Sequence, residues 1–117
     1  MSQQYSETIK HHYHHPLNTG KLSNYTHSAE QLNPLCGDEI KVYLDVKDNR
    51  IRDIRYEARG CMISIAAASV LSEFVKGKTL QEAKKITKEN IDKLLGVKIS
   101  KSRESCKTLV LNTVKKI

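Results

Sequence analysis

The chain has no tryptophan, a single phenylalanine (Phe74) and no long apolar run. A helix that crosses a bilayer needs about 20 consecutive apolar residues, so no membrane span is expected. The start, Met1-Ser-Gln-Gln-Tyr5, has neither the charged residues nor the apolar stretch of a secretion signal, which sets the cytoplasm as the expected compartment. Three cysteines, an odd number, do not close a disulfide framework. In a reducing compartment they are expected as thiols, metal ligands or reactive groups. There is no Cys-x-x-Cys pair, no His-Glu-x-x-His and no phosphate-binding glycine loop, which removes the compact zinc finger, the zincin protease and the nucleotide-cradling turn. Internal repeats and low-complexity linkers are absent as well. The 117 residues are therefore expected to form one domain, 1–117, around one modest core.

What is present is ordinary for a soluble globular chain: 38% hydrophobic and 28% charged residues, too apolar for full disorder. The formal charge of +7 suggests an acidic partner, a nucleic acid or merely a lysine-rich solvated surface. The basic residues are dispersed and no aromatic-rich motif accompanies them, which argues against nucleic acid.

Periodicity predicts a first helix from about Gln3 to His14, with Ser2 as its cap, broken by Pro16 and Gly20. Residues 20–26 read as a short edge strand. Ile40, Val42, Leu44 and Val46 then alternate with polar neighbours, Asp48-Asn49 supplies a turn, and Ile54, Tyr56 and Ala58 alternate again. This is an antiparallel hairpin with one buried face. After Gly60 the period becomes helical, with a helix from about Ile63 to Lys76 stopped by Gly77. Thr79 and Glu82 fit a capping box for a short helix through about Lys85. Thr87 caps another, from about Lys88 to Leu95, ended by Gly96. A last helix from near Ser102 carries Cys106, Leu109, Val110, Thr113, Val114 and Ile117 on one stripe. The order argues for an α+β fold, a small antiparallel sheet with helices packed on one face.

Four residues stand out chemically. Cys36 lies in Asn33-Pro-Leu-Cys-Gly-Asp38, where Gly37 lets the backbone come close and Asp38 adds a hard oxygen beside a soft sulfur. Cys61 lies where strand hands over to helix, and Cys106 is expected in the first turn of the last helix. Unpaired N–H groups at a helix start favour thiolate, the form that binds metal or attacks sulfur. Three thiolates and one carboxylate suit tetrahedral zinc or an iron–sulfur cluster, although buried thiols and a turn aspartate satisfy the same spacing. His11 and His15, at i and i+4, would share a helix face, as ligands or as solvated side chains, and His12 is expected to pack beside Ile9. A Cys–His nucleophile with His27 would need a fold that brings them together, so independent catalysis is not expected.

These residues closely resemble the iron–sulfur cluster scaffold family that includes IscU, SufU and the amino-terminal domain of NifU. The resemblance rests on Asn33-Pro-Leu-Cys-Gly-Asp38, on residues 60–69 (GCMISIAAAS), on residues 76–83 (KGKTLQEA) and on residues 103–109 (RESCKTL), and includes the start from Tyr13 to Gly20. It implies a three-stranded antiparallel sheet. It also implies a role: sulfur arrives as a persulfide from a pyridoxal-phosphate cysteine desulfurase, is combined with iron as a transient 2Fe–2S cluster, and passes to recipient proteins. By the same resemblance Cys36, Cys61 and Cys106 would be cluster or zinc ligands, with zinc in the resting form. Asp38 would be the labile fourth ligand. Cys106 is the persulfide acceptor in the IscU pattern, Cys36 in the SufU pattern. IscU proteins carry histidine where this chain has Ser105, and a chaperone-binding segment where it reads Leu95-Gly-Val-Lys-Ile99, so the resemblance does not extend to an Hsp70-type chaperone. Arg103 resembles the SufU pattern, without the SufU insertion between the second and third motifs.

Overall fold

The computed structural model describes residues 6–34 and 37–117. The first helix, α1 (Glu7–His14), is capped by Ser6, whose hydroxyl accepts from the Ile9 amide at 3.2 Å. The same hydroxyl donates to the Leu95 carbonyl at 2.6 Å. The described helix thus starts at Glu7 with Ser6 as its cap; the expected start at Gln3 and cap at Ser2 lie outside the described residues. Ile9 is fully buried, and α1 lies against the helix α2 (Met62–Val75).

The sheet has three antiparallel strands in the order β1-β2-β3: β1 (His27–Leu32), β2 (Glu39–Lys47) and β3 (Arg50–Arg59). The edge strand is thus His27–Leu32 and not residues 20–26. Its inward residues His27, Ala29 and Gln31 carry almost no apolar alternation, so the period-2 signal is missing where the strand is. Residues 18–20 instead run beside β3, with Gly20 N–H donating to the Tyr56 carbonyl and Tyr56 N–H to that of Asn18.

The hairpin turn is Asp48-Asn49, both in the left-handed region (φ 53° and 65°), as a two-residue loop requires. The register shifts once, so that Val46 faces Ile51 while Asp45 faces Asp53, leaving Arg52 unpaired. This bulge turns Ile51 inward and keeps Arg52 in solvent. Tyr43, expected on the wet face, is only 5% exposed. Its ring packs against Tyr25 with centres 5.3 Å apart, and its hydroxyl donates to Glu57 at 2.9 Å.

Helix α2 (Met62–Val75) is buried on nearly every side, including Ser64, Ser69 and Ser72. Its small residues let α1, β3, α4 (Lys88–Leu95) and α5 (Glu104–Lys115) all approach it. α3 (Leu80–Lys84) and α4 (Lys88–Leu95) each begin with a reciprocal capping box, Thr79 with Glu82 and Thr87 with Asn90. Gly96 ends α4 with φ 76°. A single 3-10 turn at Lys101–Arg103 leads into α5 (Glu104–Lys115), which packs on α2 and on the inner face of the sheet. No helix among the described residues is long and apolar enough to cross a membrane.

One lysine departs from the solvated-surface reading. Lys107 is 3% exposed, and its ammonium lies 3.1 and 3.2 Å from the two carboxylate oxygens of Asp92. Asp92 Oδ1 also accepts from the Ile99 amide at 3.2 Å, so the pair ties α4 and the following loop to α5. Removing one partner of such a pair strands the other charge. Asp92→Ala is expected to lower stability by about 3 kcal/mol, read from urea unfolding midpoints. Glu104→Ala, which breaks the exposed pair with Lys88, is expected to cost much less.

Candidate metal centre

The site forms where the sheet ends and two helices begin. Asp38 precedes β2 and is fixed by a closed loop: Asn33 N–H donates to the Asp38 carbonyl at 2.7 Å, and Gly37 N–H to that of Asn33 at 2.8 Å. Gly37 has φ 78°, a conformation glycine adopts without strain. Cys36 lies outside the described residues. Cys61 follows β3 as the N-cap residue of α2, and Cys106 is in the first turn of α5, as its sequence position predicted.

Asp38, Cys61 and Cys106 converge, with a carboxylate oxygen and two sulfurs all within 4.8 Å of one another. Asp38 and Cys106 are buried and Cys61 is half-buried, so the cluster meets solvent at Cys61. One carboxylate and two thiols make a donor set that fits zinc or an iron–sulfur cargo with room for a further ligand.

Ser64 holds this group together. Its hydroxyl donates to Asp38 Oδ2 in a short hydrogen bond, lies 3.6 Å from Cys61 Sγ and 3.4 Å from the Cys106 carbonyl. Burial raises the Cys61 pKa, and the Asp38 charge adds to that. The Ser64 amide and hydroxyl, with Cys106, outweigh both, so the thiol ends below its ordinary value. Cys61 makes no side-chain cap hydrogen bond of ordinary geometry, yet its position at the helix start still favours thiolate.

Sequence reasoning missed two contributors. Ser64 has a readable signal, standing at i+3 from Cys61 on one helix face. Gly60 does not. A Cβ there would lie 2.6 Å from Asp38 Cγ, 2.8 Å from its Oδ1 and 2.9 Å from its Cβ, so glycine is required by space. The histidines stay apart. His27 pairs with Leu44, five residues along β2 from Glu39 and so roughly 17 Å from the site end of the sheet. His12 sits half-buried against α2 with Nδ1 2.7 Å from Ser69 Oγ, which bears out its packing role. Arg103 is half-buried at the N-cap of α5, three residues before Cys106.

Residues 4–116 match the family described as NifU-like N terminal domain. The chain is 37% identical over 112 residues to iron–sulfur cluster assembly scaffold protein IscU 1 of Archaeoglobus fulgidus, covering 96% of this chain and 72% of that one. It is 34% identical over 92 residues to the zinc-dependent sulfurtransferase SufU of Bacillus subtilis, covering 79% and 62%. Among solved structures it is similar to SufU of Fervidobacterium islandicum AW-1, with a TM-score of 0.82, 29% identity and coverage of 96% and 94%.

Gly60→Ala is expected to destabilise the fold by about 1–3 kcal/mol, because a buried carboxylate must move. Combined with Asp38→Gly, the loss should fall short of the sum of the single losses by about 1 kcal/mol or more. Urea unfolding of the three variants measures this, and strict additivity would mean the contact carries no strain.

Proposed function

The chain belongs to the NifU-like N terminal domain family, and we propose that it is a single-domain scaffold on which an iron–sulfur cluster is assembled and from which it is passed on. The observation that carries this reading is the convergence of Asp38, Cys61 and Cys106 at one half-open corner. Cys36 is the proposed fourth donor, on the resemblance of its motif. The cargo is a transient 2Fe–2S cluster. The partners are a cysteine desulfurase, which supplies sulfur, and apo proteins that receive the product.

Sulfur delivery needs no net redox change. A scaffold thiolate attacks the outer sulfur of the desulfurase persulfide. A new S–S bond forms, the old one breaks, and the desulfurase keeps its thiolate. Cys61 is held towards thiolate by its surroundings, and Cys106 and Cys36 are the proposed acceptors. The Asp38 oxygen is a hard donor among soft ones, so it is the ligand proposed to release the cargo first. Ser64 orients that carboxylate by its hydrogen bond.

A second reading is favoured by Arg103 and Ser105, which depart from the IscU pattern toward that of SufU. In it the same residues hold a resident zinc ion, which fixes thiolates and lowers their pKa, and the protein relays persulfide as a sulfurtransferase. The donor set fits zinc equally well.

Anaerobic incubation with a cysteine desulfurase, cysteine and ferrous iron is expected to give protein-bound visible absorption and circular dichroism that transfer to an apo-ferredoxin. Cys36→Ala, Cys61→Ala and Cys106→Ala should each abolish stable binding, and Asp38→Ala should slow transfer. Full occupancy in all three cysteine variants would overturn the scaffold. Persulfide on a zinc-loaded protein that binds no cluster would make it a relay.

A further inference from the structure

The end of α1 carries four histidines around Tyr13, and neither reading above uses them. They face different ways. His12 is engaged with Ser69 on α2, and His14 sets its ring edge-on to Tyr13 at 5.2 Å. His11 and His15 are both exposed, one helical turn apart, with ring centres 5.4 Å apart and planes inclined by 38°. A divalent ion held about 2.0–2.1 Å from one nitrogen of each ring, with a tetrahedral bite, sets the ring centres roughly 5 Å apart. The two imidazoles already stand at that separation.

Two further observations fit a cation there. The His15 amide donates to the His11 carbonyl at 2.8 Å, so the backbone spacing of the pair is fixed by the helix itself. The pair also sits at the carboxyl end of α1, where unpaired carbonyls form the negative end of the helix dipole. The nearest lysine on the helix, Lys10, is drawn the other way by Glu7, 3.7 Å from it.

We propose that His11 and His15 form a second metal site, for one divalent transition ion of the kind that prefers imidazole. It shares no residue with the Asp38, Cys61 and Cys106 cluster. Copper, nickel and zinc bind such nitrogen donors ahead of ferrous iron. Two protein ligands leave the remaining positions to water, so the ion exchanges readily. Binding clamps the last turn of α1, which is joined to α2 through His12 and through the Leu17 amide, 2.9 Å from Ser69 Oγ.

The test is a nickel titration of the whole protein followed by paramagnetic broadening of its amide spectrum, which reads the two sites separately. Broadening is expected to centre on the last turn of α1. His11→Gln and His15→Gln should each weaken it at least about tenfold in apparent affinity, the loss of one of two chelating donors. His14→Gln and Cys61→Ser should leave it unchanged. No broadening at α1, broadening undiminished from that of the unaltered protein in the His11 or His15 variant, or its loss in His14→Gln would overturn the site.

Discussion

The arrangement of this molecule turns on a carboxylate pressed against a bare backbone. Asp38 reaches over Gly60 so closely that no side chain fits between them, and its far oxygen is bonded to Ser64. That contact joins the start of β2 to the end of β3 and to the first turn of α2. Because Cys61 lies between Gly60 and Ser64, the same contact fixes where its sulfur stands. The sheet, the buried helix and the candidate donors are one mechanical unit.

Gathering a carboxylate and two thiols in a largely dry corner is unfavourable for the apo protein, since like charges there repel and burial opposes ionisation. The fold offsets this in specific places. Helix starts lie behind Cys61 and Cys106, a hydroxyl serves Asp38, and the buried Lys107–Asp92 pair clamps α5 against α4 one residue beyond Cys106. Small residues along α2 bring α1, α4, α5 and β3 close around it. The site's geometry is thus held both by the contacts of the candidate donors themselves and by packing well away from them.

Much of this was legible in the sequence because the signals are local. The Thr79/Glu82 capping box, the Thr87 cap, the Asp48-Asn49 turn, the glycine stop of α4 and the change of period at Gly60 each depend on residues within a few positions. So does the placement of Cys61 and Cys106 at helix starts. What escaped depends on distant partners. β1 has inward residues too polar to announce a strand, and Tyr43 is covered by a tyrosine from another segment. Lys107 is buried because Asp92 meets it, and Gly60 is needed because Asp38 does. Ser6 caps α1 with a hydroxyl that also reaches Leu95, 89 residues away.

The converging donors come from positions 38, 61 and 106, steps of 23 and then 45 positions along the chain. Each closure must overcome the entropy of the loop it spans, and neither has a local substitute. During synthesis, Asp38 and Cys61 emerge well before Cys106, and domains fold as units once their parts are out. A nascent chain therefore displays an incomplete set of candidate donors until α5 has left the ribosome. The wide spacing means that the three candidate donors meet only once sheet and helices are all in place.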